Sequence, residues 1–186
     1  MGAGTDIFSG LRWPDLDQLQ DPDSTRTWIA CHEAGHALVA GRLGHDWTAR
    51  LEMDHPRTCG SVVPGNGSVP PLVRMAPIAW GGPVAQHMAF FRVEAAKAFE
   101  LAWKLFVSFP ADYFSGPDLT WIRRHPHPRE AGKLAATILR GRHHAIERLA
   151  QMLVERGSVT RDEFHRADSG LTLAPRINNK QPEQTT

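Results

Sequence analysis

The segment "TWIACHEAGHALVAGRL", residues 27–43, constrains the fold more than any other part of the chain. A helix through it is apolar on most sides, because Trp28, Ile29, Ala34, Ala37, Leu38 and Val39 are spread around its circumference. Such a helix belongs inside a domain with other elements packed about it. It also carries His32, Glu33 and His36, and polar groups buried without partners cost roughly 2–7 kcal/mol each. The fold must therefore give those three a common partner. Gly35 adds a second demand, since a helical glycine costs about 1 kcal/mol relative to alanine. Close approach of another backbone, or of a substrate, is the expected compensation.

Residues four apart on a helix share a face, so His32 and His36 present two imidazoles to one point in space. Glu33 projects about 100° further round and reaches a water held at that point rather than the ion itself. The pattern is His-Glu-x-x-His, the arrangement of zinc hydrolases. Zinc on neutral imidazoles brings the pKa of its water to about 7, and a nearby carboxylate can take the proton during attack on a carbonyl. A solvated polar helix face is the alternative, and the apolar flanks argue against it. Catalytic zinc needs a third protein ligand from elsewhere.

The chain has 186 residues, one domain's length, and its 41% hydrophobic and 22% charged content is that of an ordinary globular protein. Twenty-one Lys and Arg against twenty Asp and Glu leave a formal charge of +1. No broad basic footprint exists, which excludes nucleic acid as the expected partner. Two cysteines make no disulfide framework, and the N-terminus lacks a secretion-signal layout, so a cytoplasmic location is expected. The longest apolar runs, such as "AWGGPVAQHMAFF", are too short to span a bilayer. "MGAGTD" lacks the Ser or Thr of a myristoylation signal, so no membrane anchor is expected.

The expected organisation is an N-terminal arm over 1–24, a compact domain over 25–168 and a polar tail over 169–186. A helix is predicted from Thr25 to Leu43, with N-cap candidates in "DPDSTRTW" and a stop at Gly44. "WTARLEMDH" and "CGSVVPG" read as short strands joined by a hairpin turn at "HPRT". "PGNGSVPP" reads as a mobile loop. Helices are predicted over 71–91 and 93–107, then a short one in "DLTWIRRH" after Pro117, and one or two over 129–156. "SVTRDEFHRA" closes the fold with a capping box from Thr160 to Glu163. The fold class is α+β, predominantly helical, with a small sheet beside the histidine helix and a C-terminal helical bundle.

Taken together, "HEAGHALVA", "LGH", the "CGSVVPG" strand, "WGGPVAQ" and "SGPDLTWIRR" resemble the peptidase domain of the FtsH family of ATP-dependent zinc proteases, over about residues 25–167. The resemblance implies a zincin-like peptidase fold that binds Zn²⁺. It implies His32 and His36 as ligands, Glu33 as general base, and a third ligand at Asp118, in the counterpart of a Gly-x-x-Asp-Leu segment heading a helix. A helix start also keeps a carboxylate ionised and ready to ligate, although without the resemblance a plain first-turn helix stabiliser is the favoured reading of Asp118. Asp112, Glu94 and Glu100 stay open as rival ligands. Pro117 directly precedes Asp118 in a shortened segment, and Gln86 stands where the family has a glutamate. No Gly-x-x-x-x-Gly-Lys-Ser/Thr phosphate loop occurs, and neither membrane anchor nor ATPase module is expected.

The expected activity is therefore zinc-dependent endopeptidase cleavage of peptides and unfolded or flexible segments, ATP-independent by itself or served by a separate ATPase or delivery partner. An adaptor or inhibitor that keeps the fold without catalysis is the alternative. The "CGSVVPG" strand offers an edge for an extended substrate. His143 and His144 point in different directions on a helix and read as a solvated face, while His125 and His127 read as loop residues. Cys31 and Trp28, Trp80, Trp103 and Trp121 read as core. His87 is a weaker candidate for transition-state stabilisation.

Overall fold

A computed structural model describes residues 22–52, 59–64, 70–108, 110 and 114–168. Residues 1–21 of the expected arm, the C-terminal tail, the "HPRT" turn and most of the "PGNGSVPP" loop lie outside the described residues, while 22–24 belong to the first helix. Helix α1 runs Pro22–Arg42, followed by strands β1 (Trp47–Glu52) and β2 (Cys59–Pro64). Then come α2 (Leu72–Phe91), α3 (Ala95–Ser108), α4 (Gly116–Arg124), α5 (Pro128–Leu139) and α6 (His143–Arg156). The short strand β3 (Ser158–Thr160) and helix α7 (Arg161–Asp168) complete the described chain. The predominantly helical α+β architecture is as expected, with the sheet beside the histidine helix.

Helix α1 begins at Pro22, three residues before the expected Thr25, because proline at the first helical position gives up an N–H that has no partner there. It lies at the centre of the fold. Ala30, Cys31, Ala34, Ala37 and Val39 are fully buried against the neighbouring elements. Its tightest neighbour is α2. A Cβ on Gly35 would lie 2.1 Å from the Gly81 carbonyl oxygen, and one on Gly81 would lie 2.6 Å from that of Gly35. The two helices thus touch main chain to main chain, which is the close approach Gly35 foretells.

The sheet has the order β2-β1-β3, with both pairings antiparallel. Along β1 the buried residues Trp47, Ala49 and Leu51 alternate with Thr48 and Arg50, the period of a half-covered strand. Leu51 pairs with Gly60 and Ala49 with Val62 on one side, while Ala49 also faces Val159 on the other. Sequence reading had no strand at 158–160, since three residues cannot display a period of two. Gly157, at φ 73°, ends α6 in the left-handed region and turns the chain into that strand. The expected Thr160–Glu163 capping box is present: Glu163 accepts from the Thr160 N–H at 2.9 Å and Thr160 Oγ1 from the Glu163 N–H at 3.3 Å.

Behind α2, Trp80 is fully buried in an aromatic cluster with Phe99, Trp103, Phe106 and Phe114 at centroid distances of 5.3–5.9 Å. This cluster holds α2 from the face opposite α1. The 129–156 region resolves into two helices, α5 and α6, separated at Gly141 with φ 68°. His144 is exposed, as a solvated face requires, and His125 and His127 sit at the junction of α4 and α5. No helix among the described residues is long and apolar enough to cross a membrane.

His87 is a core residue rather than a site residue. It is 1% exposed, its Nδ1–H donates to the Pro83 carbonyl at 2.7 Å, and it is absent from the cavity over the histidine pair. Burial lowers its pKa from the ordinary 6.5 to about 4. The folded chain therefore disfavours the protonated ring, so its contribution is complete above pH 6.5 and fades as pH falls toward 4. The loss amounts to about 3 kcal/mol. Denaturant unfolding of wild type and His87→Met between pH 7 and pH 4 should show a shallower fall for the variant; parallel curves would remove this account.

Candidate active site

Two chain segments meet at the middle of α1. His32 and His36 rise from one face of α1, and Asp118 comes from the first turn of α4, with Glu33 alongside. One ligand atom from each of His32, His36 and Asp118 lies within 4.8 Å of the other two. His32 Nε2 is 3.0 Å from Asp118 Oδ2, and His36 Nε2 is 3.4 Å from Asp118 Oδ1. The two imidazoles stand nearly perpendicular, at 83°, with centroids 4.4 Å apart. Of the rival carboxylates, Glu94 is exposed, Glu100 pairs with Arg129 at 3.2 Å, and Asp112 lies outside the described residues.

The donor set fits a metal on its own chemistry. His36 Nδ1–H donates to the Ile78 carbonyl at 2.7 Å, which turns Nε2 toward the cluster, where it can ligate a metal once it gives up its proton. Ile78 belongs to α2, so the main-chain contact between α1 and α2 also orients a ligand. Asp118 is steadied by Ser115, the N-cap of α4. Ser115 Oγ donates to Asp118 Oδ2 at 2.7 Å and accepts the Asp118 N–H at 3.2 Å. Pro117 lies in the first turn of α4, where its missing N–H removes no helical bond. Two imidazoles and one carboxylate, each offering one atom, are a ligand set for zinc that leaves a further coordination position to water.

Glycines shape the walls. A Cβ on Gly82 would lie 2.6 Å from the His32 ring, and one on Gly60 would lie 2.3 Å from Glu33 Cγ. The ring of His32 thus lies against α2, and the Glu33 side chain lies against β2. Nothing in the local sequence signals these contacts, because each joins segments far apart in the chain. Ser115 had a readable sign, the Ser-x-x-Asp spacing of a helix cap.

The charges interlock. Burial alone would raise Asp118, but His36 and His32 overcome it and hold the carboxyl well below the usual carboxylate range. Burial alone would lower His36, and Asp118, Glu33 and the Ile78 carbonyl reverse that to about 9. For Glu33, burial is the largest influence and raises its pKa, only partly opposed by His36 and His32. A carboxyl raised in this way is better matched to accepting a proton near neutrality than an ordinary glutamate.

A cavity of about 560 Å³ opens over these residues. Gly60, Ser61 and Val62 of β2 form one wall. Trp28 and Trp121, expected as core, are half-buried and also line the cavity. No family model and no curated protein matches the chain, so the assignment rests on geometry. A His-Glu-x-x-His helix joined by a distant carboxylate, beside a small sheet in a mainly helical domain, is a zincin-like metallopeptidase arrangement, and the cluster is that of a zinc metalloendopeptidase active site.

Proposed function

We propose that the chain is a zinc-dependent endopeptidase related to the FtsH peptidase domain, which cuts unfolded or flexible polypeptide segments without ATP. The convergence of His32, His36 and Asp118 beside a buried Glu33 that lies against strand β2 carries this reading. His32, His36 and Asp118 would hold the ion by one atom each. Zinc bound there would acidify water and polarise the scissile carbonyl.

Glu33 takes a proton from the attacking water as the new carbon–oxygen bond forms. It then delivers that proton to the amide nitrogen as the carbon–nitrogen bond breaks, so water is divided between the two products. Its position against Gly60 holds the carboxylate beside the strand along which substrate would lie. Among the described residues strand β2 pairs only with β1, and its other edge is where main-chain hydrogen bonds from an extended segment would form. A folded domain cannot supply such a segment. Loose polypeptide is therefore the expected substrate, alone or delivered by a separate partner.

Chelation should abolish cleavage of an unfolded protein, and one equivalent of zinc should restore it without nucleotide. Asp118→Ala should weaken zinc retention by about 10²-fold or more, the cost of losing a direct ligand exceeding the 10–100-fold of an outer-shell partner. Competition with a coloured chelator reads the second effect. Purified protein that retains no stoichiometric metal after remetallation, or that cuts equally well when chelated, would end the proposal.

A further inference from the structure

The cavity extends to both sides of the ligand cluster. Ile78, against which His36 rests, and Met75 mark one end. At the other, Trp28 lies one turn before His32 on α1, and Gln86 lies one turn beyond Gly82 on α2. Trp121, one turn after Asp118, adds a third wall.

Gln86 is the unusual member. It is 5% exposed, yet it lines the cavity. Its Nε2 donates to the Trp28 carbonyl at 3.2 Å. A main-chain carbonyl only accepts, so the amide cannot be turned the other way, and Oε1 is the polar atom left for the cavity. Among the described residues no hydrogen bond reaches that oxygen. That oxygen is open to the cavity rather than sealed off, so a ligand that covers it must bring it a donor.

We propose that the Trp28–Gln86 end of the cavity is a side-chain subsite for an aromatic residue with a hydrogen-bond donor at its tip, tyrosine above all, and that Gln86 is its specificity-determining residue. The inference rests on the peptidase reading and deepens it to a substrate class. The Trp28 indole offers the ring an apolar face, and Gln86 Oε1 accepts the phenolic hydroxyl. Phenylalanine would fill the same space and leave the acceptor unpaired. Lysine carries a donor, but the carboxylates among the described lining residues, Glu33 and Asp118, belong to the ion site and are not free to offset loss of its hydration.

Digestion of an unfolded protein by the zinc-loaded enzyme, read by mass spectrometry, locates the position at which tyrosine is enriched. Matched peptides then vary that position among tyrosine, O-methyltyrosine, phenylalanine and lysine. We expect kcat/KM to favour tyrosine about tenfold over O-methyltyrosine and phenylalanine, the effect of one buried hydrogen bond. Gln86→Leu should shrink that ratio below about twofold. A wild-type ratio near one overturns the subsite with no variant needed, as does a preference for lysine or a ratio unchanged in Gln86→Leu.

The same peptides are titrated onto zinc-loaded Glu33→Gln protein, with tryptophan fluorescence as the readout. Absent cleavage together with a tyrosine preference in binding that Gln86→Leu removes would sink the peptidase reading and leave the subsite standing. Cleavage without tyrosine preference would sink the subsite alone.

Discussion

Glu33→Gln is expected to lower peptide cleavage by roughly 10²–10⁴-fold while the protein retains zinc. Glutamine has the shape of glutamate, so the packing against Gly60 survives, but it cannot accept the proton released by the attacking water. His32, His36 and Asp118 are untouched by the change. Elemental analysis reads retention, and mass spectrometry of a peptide digest reads activity. Equal activity in the two proteins would remove Glu33 from the mechanism, and loss of metal would show that it serves the ligand set instead.

Gly35→Ala is expected to destabilise the fold and empty the site together. The new Cβ would lie 2.1 Å from the Gly81 carbonyl oxygen and 2.6 Å from Ala85 Cβ, and neither is the far end of a flexible side chain. Alanine gains about 1 kcal/mol in helix propensity, whereas overpacking costs about 1–3 kcal/mol and more where backbone must move. The expected net loss is about 2 kcal/mol. As α1 and α2 separate, His36 loses its hold on Ile78, so metal retention should fall with stability. Gly116→Ala is the control, because a Cβ there meets nothing within 4 Å. A Gly35→Ala protein with wild-type midpoint and metal content would show that the crossing can relax.

Most of the site was legible because its strongest element is local. The spacing of His32, Glu33 and His36 on one helix carries its own geometry, and their apolar flanks announce burial. Asp118 was reached only through the family resemblance; its cap partner Ser115 was legible as a spacing but not as a clamp on the carboxylate. Helix boundaries were read within a few residues where proline or glycine punctuates them, as at Pro22 and Gly44. Strand β3 escaped because Val159 alone bears its buried face. Gly60 against Glu33, Gly82 against the His32 ring and Gln86 against the Trp28 carbonyl could not be read either. Each is a meeting of segments distant in sequence, and glycine or glutamine carries no sign of what it will touch.

Strand β1 lies between a neighbour that follows it at once and another that arrives more than a hundred residues later, at 158–160. On the ribosome, the long gap means that β1 waits with one side bare while α2 to α6 emerge and collapse. The sheet whose strand β2 lies against Glu33 is therefore finished last, by the strand that leads into α7. A nascent chain released early would carry both histidines on an unfinished scaffold. A chain stopped before residue 158 would thus lack the strand that covers the second side of β1.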